Sequence, residues 1–200
     1  RQSVLAKHGP GPHNVKFTVA YTDPDDRKST VSFVVEMASL DIMPHSVDFF
    51  LEMIGSKIWD NTVFLHHEQV EHVLAAAPID YKSQTVKHHH LNYFGWQGLG
   101  FPEYSDKYQH KAYTIGFAGM GPTFYINTLD NSDAHGPGGQ GHHALEGDAD
   151  PCFGTVIEGI EAVDLLFHHG LNQSKMRESK EHPWADDEHT WSHIVKIEIL

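Results

Sequence analysis

The sequence predicts a mainly β protein, an antiparallel barrel whose open ends are covered by two helices. Three observations predict it. Eight short segments alternate or run apolar at strand length, two stretches carry a helical period, and Gly, Pro, Asp and Asn clusters punctuate the chain between them. At 200 residues one core can hold the whole chain, so residues 15–200 are expected to form one domain behind an N-terminal arm, residues 1–14.

The elements follow in order. Arg1–Pro12 lacks periodicity and contains Gly9-Pro10-Gly11-Pro12, which reads as a loose, flexible arm. Val15–Tyr21 alternates, Thr30–Ala38 is largely apolar, and the turn-rich Thr22–Ser29 between them signals a hairpin. At Pro44 the period changes, with Val47, Phe50, Leu51 and Ile54 at i, i+3, i+4 and i+7. Pro44 suits a first helical turn and Gly55 a stop, so Pro44–Ile54 is a helix lying on the sheet. Val63–Leu65 and Val73–Ala77 read as short strands, and Tyr81–Tyr108 as a long surface excursion.

Tyr113–Ala118 and Thr123–Thr128 form a second hairpin about the turn Gly119-Met120-Gly121-Pro122. Alternation sends Phe124, Ile126 and Thr128 one way and Thr123, Tyr125 and Asn127 the other. One face is core; the other is expected to be a shallow, mixed surface able to hold a peptide. Ser132–Asp150 reads as a Gly-rich loop, Cys152–Ile157 as a strand, and Ile160–Phe167 as a second helix ended by Gly170. Leu171–Asp187 reads as a polar loop before the closing strand His193–Leu200.

Charge and composition narrow the function. Lys and Arg total 14 against 27 for Asp and Glu, a formal charge of −13 that repels a phosphate backbone, and nucleic acid is not an expected partner. Protonating all 18 histidines would bring the charge to +5, so surface charge depends strongly on mildly acidic pH. No apolar run reaches membrane-span length. Cys152 is the lone cysteine and reads as a small buried hydrophobe. The chain opens on Arg1 rather than Met, as expected for a fragment of a longer precursor, and Asn172-Gln173-Ser174 is a glycosylation sequon, which points toward the secretory pathway.

Four blocks, in this order, resemble the cyclophilin family of peptidyl-prolyl isomerases. Pro44-His45-Ser46-Val47-Asp48-Phe49-Phe50 is similar to the family's first helix, and Trp59-Asp60-Asn61-Thr62-Val63-Phe64 to the approach to its catalytic strand. Gly116-Phe117-Ala118 with Thr123-Phe124-Tyr125-Ile126-Asn127 is similar to the groove hairpin, and Phe153-Gly154-Thr155-Val156-Ile157-Glu158-Gly159 with Val163-Asp164 to the last strand-helix unit. The resemblance runs from Val15 to Leu200 and implies a closed eight-stranded antiparallel barrel capped by two helices.

The same resemblance shows where this chain departs from the family. The family's Phe-His-Arg is Phe64-Leu65-His66 and its later Gln-Gly-Gly is Leu74-Ala75-Ala76, so His66 stands for the catalytic arginine and Leu74 for a groove glutamine. The hairpin's Ser-Gln-Phe-Phe is Pro122-Thr123-Phe124-Tyr125, which puts Thr123 at the second glutamine and Tyr125 at the proline-pocket phenylalanine. The groove tryptophan and histidine align with Leu145 and Asp150. By resemblance the peptide surface comprises Phe64, His66, Leu74, Phe117, Gly119, Thr123, Tyr125 and Leu145.

The chemistry makes those exchanges consequential. Rotation about X-Pro faces a barrier of roughly 18–20 kcal/mol, lowered by a donor that engages the twisted amide. Arginine is always charged and presents a fork of N–H groups, whereas a histidine offers one or two donors and is mostly neutral above a pKa of about 6.5. The expectation is a module that binds a proline-containing peptide or a partner protein, with weak or absent isomerase activity. An active isomerase with a modified constellation is the alternative. A third reading is a histidine-rich metal-binding protein on the same scaffold, drawing on His88, His90, His142-His143 and His168-His169. Those spacings match no defined zinc site, so no metal ligand and no cofactor is assigned. Asp130, Asn131 and Asp133 lack the rest of a calcium loop and read as a solvated turn.

Overall fold

Eight strands build the barrel: β1 Asn14–Thr22, β2 Lys28–Met37, β3 Thr62–Leu65, β4 Val73–Asp80, β5 Thr114–Phe117, β6 Phe124–Asn127, β7 Cys152–Glu158 and β8 His193–Ile199. They close on themselves in the order β1-β2-β7-β5-β6-β4-β3-β8, every pair antiparallel. The structure is a computed structural model that describes residues 2–23, 27–65, 73–83, 85–87, 91–93, 95, 98–139, 149–177 and 192–200. All eight expected strands are present, and both expected hairpins pair in register, Phe17 opposite Phe33 in the first and Gly116 opposite Tyr125 in the second.

Alternation determines what the barrel holds. Val15, Phe17 and Val19 of β1 are buried while Lys16 and Thr18 between them are partly exposed. The centre is aromatic: Phe17 stacks on Phe33 at 4.6 Å between ring centroids, and Trp59 meets Phe124 edge-on at 4.7 Å. Helix α2 (Pro44–Gly55) caps this core, its Phe50 ring touching Phe17 of β1, Phe117 of β5, Phe124 of β6 and Phe153 of β7. Val47, Phe50, Leu51 and Ile54, the predicted apolar stripe, are all buried.

The described residues hold helices beyond the two expected. Helix α1 (Gln2–His8) occupies the stretch expected to be a loose arm; Val4, 5% exposed, joins the core, and Gly9 ends the helix. A single turn, α3 (Ser132–His135), stands inside the segment read as a loop. The last helix, α4 (Ile160–Arg177), buries Val163, Leu166 and Phe167 as expected but runs through Gly170 and across the sequon. Glycine weakens a helix interior by only about 1 kcal/mol, which flanking turns can offset. No helix among the described residues is long and apolar enough to cross a membrane.

Candidate functional site

The face of the β5–β6 hairpin that points away from the core carries Tyr125 and Asn127. It is covered, not open: Tyr125 is 3% exposed and Asn127 0%. Three segments distant in sequence supply the cover. They are His110 on the approach to β5, the Asn131–His135 turn after β6, and Ala149-Asp150 on the approach to β7. Backbone bonds hold them to one another, from Asn131 N to His110 O at 2.7 Å and from Asp150 N to His135 O at 3.0 Å.

Asp150 is the hub. Its Oδ2 accepts the Tyr125 hydroxyl at 2.8 Å and lies 3.0 Å from His135 Nδ1, while its Oδ1 accepts the Gly119 N–H at 2.9 Å. Burial alone pushes the carboxyl up, but the bonds from His135 and Tyr125, the His135 charge and the Gly119 N–H outweigh it and hold the group below the usual carboxylate range. An ionised carboxylate only accepts, so Nδ1 of His135 carries the proton of that bond. Burial, then the nearby Asp150 charge, keeps the Tyr125 hydroxyl well above its ordinary pKa and therefore protonated.

A second chain of bonds starts at His110. Its Nε2 donates to the Asp150 carbonyl at 2.9 Å, since a carbonyl can only accept. Burial lowers the pKa of this ring, which leaves Nδ1 of the neutral tautomer as an acceptor for the Asn127 amide at 3.3 Å. The same amide reaches Thr114 Oγ1 at 3.0 Å, and Asn127 Oδ1 accepts from Asn131 Nδ2 at 2.8 Å. Gly116, opposite Tyr125, makes room for the ring: a Cβ there would lie 2.8 Å from His110 Cε1 and 2.8 Å from the Pro151 carbonyl.

This arrangement is a satisfied polar network, and buried networks of that kind fix loops in one geometry. Acid-base catalysis needs a substrate proton within hydrogen-bond reach, and Tyr125, His110 and His135 are 3%, 0% and 7% exposed. Cys152 is buried as expected, its thiol pushed up to about 12 by burial. Asn131 is buried inside the network rather than solvated, while Asp130 and Asp133 are exposed as the turn reading expects.

The sequence-derived peptide residues scatter across this picture. Phe64, Leu74 and Phe117 point into the barrel and belong to its core. Leu74 faces the interior because β4 places it opposite Ile126, one residue out of phase with the Tyr125 face. Thr123 stays partly exposed at the rim, Gly119 is exposed with φ at +59°, and Tyr125 lies beneath the cover. His66 and Leu145 lie outside the described residues, as do His88, His90, His142 and His143. His168 is exposed, whereas His169 turns to the Thr22 carbonyl at 2.7 Å, so the pair does not converge. By resemblance Asp150 aligns with a groove histidine, a match that gives no sign of its role as hub, and His110 and His135 carry no pattern that singles them out.

An open groove lies beside the hairpin turn, about 330 Å³, lined by His45, Phe49 and Glu52 of α2, Lys7 of α1, and Leu99 and Phe101. The Leu99 N–H bonds the Met120 carbonyl at 2.7 Å, which ties this wall to the turn. Phe101 is 49% exposed and meets the His45 ring edge-on at 4.9 Å. Comparison of the chain with protein-family models and with curated proteins finds no match to either.

Proposed function

We propose that this chain is a cyclophilin-like module that binds an extended, proline-containing segment of a partner protein and does not isomerise it. The observation that carries the reading is the cover over Tyr125. The resemblance puts the substrate's prolyl ring against that side chain, and here Asp150, His110 and His135 pack around it while the hydroxyl is tied to the carboxylate at 2.8 Å. A prolyl ring could enter only by dismantling a buried charge network, at several kcal/mol. The groove beside the turn supports the binding half of the reading, because an apolar floor of Phe49, Leu99 and Phe101 with polar ends at Lys7 and Glu52 suits a short extended peptide.

Two assays test the two halves. Exchange-based NMR on an Ala-Pro peptide at neutral and mildly acidic pH is expected to give no acceleration over the uncatalysed rate, and turnover at either pH overturns the claim of inactivity. Fluorescence polarisation with labelled proline-containing peptides is expected to show binding that Phe101→Ala weakens. Peptides that bind the parent and the variant equally would remove the groove from the proposal.

A further inference from the structure

We propose that His8, Asp48 and Glu52 form a site for a divalent transition-metal ion of the zinc class, which fastens α1 to α2. The inference does not rest on the peptide reading, and the site shares Lys7 and Glu52 with one end of the groove. Asp48 and Glu52 stand at i and i+4 on α2 and so share one face, where like charges repel. His8, the last residue of α1, brings its Nε2 to 3.3 Å from Asp48 Oδ1 and 3.7 Å from Glu52 Oε1. The three ligand atoms all lie within 4.8 Å of one another.

The two separations from His8 lie close to the edge of a tetrahedral site, and the carboxylates stand within 4.8 Å of each other. Bonds of about 2.0–2.2 Å to nitrogen and oxygen place neighbouring ligand atoms about 3.3–3.6 Å apart, so an ion at the centre needs side-chain movements of about 1 Å. One imidazole with two carboxylates suits zinc, cobalt or nickel; calcium and magnesium want a shell of oxygens. The ligands are accessible, with side-chain exposures of 14% for His8, 27% for Asp48 and 40% for Glu52. Asp48 and Glu52 both face the open groove, which provides an entry path and a free coordination position.

Lys7 supplies the discriminating test. Its ammonium lies 3.1 Å from Glu52 Oε1 and 3.7 Å from Asp48 Oδ1, where it neutralises the carboxylates that the ion would take. Ammonium and ion therefore compete. Zn²⁺ is titrated by calorimetry into the whole chain and into His8→Ala, Asp48→Asn and Lys7→Gln, each checked for folding by circular dichroism. Other histidines give a background common to all four proteins. The expected result is one binding event weakened about tenfold or more by His8→Ala and by Asp48→Asn, and tightened several-fold by Lys7→Gln. Substituting Co²⁺ gives the visible bands of a tetrahedral site in the parent and not in His8→Ala. Isotherms unchanged by His8→Ala, or unchanged by Lys7→Gln, overturn the proposal.

Discussion

The Tyr125 hydroxyl donates a 2.8 Å hydrogen bond to Asp150 across 25 residues of chain, and both side chains are buried. A phenylalanine at 125 would match the family that the sequence resembles, yet here it would strip a donor from a buried carboxylate. A hydrogen bond to a charged group contributes about 1.5–3 kcal/mol. Tyr125→Phe is therefore expected to lower the melting temperature by about 3–12 °C, and to confer no isomerase activity. An unchanged melting temperature would mean that the hydroxyl is not held by Asp150.

Removing the hub should do more. Asp150→Ala leaves the Gly119 N–H, the Tyr125 hydroxyl and His135 without their common acceptor, and losing one member of a buried charged set typically costs about 3–5 kcal/mol. Because Tyr125 acts through Asp150, the double variant with Tyr125→Phe should be non-additive by about 1–2 kcal/mol. Denaturant midpoints of the four proteins measure the coupling, and strict additivity would contradict a shared bond.

These residues also mark where the sequence could be read and where it could not. Strand alternation exposed the barrel because a residue's face follows from its neighbours in the chain: Val15, Phe17 and Val19 declare one side of β1 without outside help. The stripe on α2 was legible for the same reason. Tyr125 and Asn127 were placed correctly on the outward side, but outward is not exposed, and their cover comes from His110 and Asp150, far off in sequence. A buried polar side chain is defined by its partners, and no local period encodes them. Leu74 fell out of phase because matching an aligned glutamine ignores the strand's own pleat. Helix α1 was hidden because its apolar contacts with the core, Val4 and Leu5, are neighbours in sequence and give no period to read.

Gly116 should tolerate no side chain. A Cβ at this position meets the His110 ring and the Pro151 carbonyl, both at 2.8 Å, and the carbonyl belongs to backbone that cannot rotate away. Gly116→Ala is expected to cost about 1–3 kcal/mol, as overpacking does, and to shift the His110 ring resonances in the NMR spectrum. A variant with the parent's stability and His110 shifts would place the ring elsewhere.

Acid should destabilise the fold in two stages. Burial lowers the pKa of His110, as it does for His193 with help from Lys28, and for His13 with help from His8. A histidine held below its unfolded value of about 6.5 contributes nothing adverse above that pH; below it the unfolded chain takes up the proton first, and stability falls. Asp150 acts lower on the scale. Its folded pKa lies below the unfolded value of about 3.9, so its contribution is present above that pH and is lost as pH falls through the folded value. Melting temperatures should decline from pH about 6.5 downward and more steeply below about 4, and His110→Gln should flatten part of the first decline. A profile flat between neutral pH and about 5 would show that these rings are not buried as neutral species.

Helix α2 depends on a residue far outside it. Met43 at the N-cap makes no side-chain capping bond, and Pro44 follows in the first turn. The free N–H groups of His45 and Ser46 are met instead by the Glu103 carboxylate, at 3.2 Å and 2.7 Å. A negative charge at a helix N-terminus satisfies donors and complements the helix dipole together, so Glu103→Ala should cost about 1–2 kcal/mol. Glu103→Gln keeps one acceptor oxygen and gives up the charge, and should fall between parent and alanine variant. Hydrogen exchange at the His45 and Ser46 amides separates this account from a general loss of packing. Both amides should exchange faster in Glu103→Ala while the Phe50 amide, deeper in the helix, keeps its protection. If all three accelerated together, Glu103 would be supporting the groove wall as a whole and not the end of the helix.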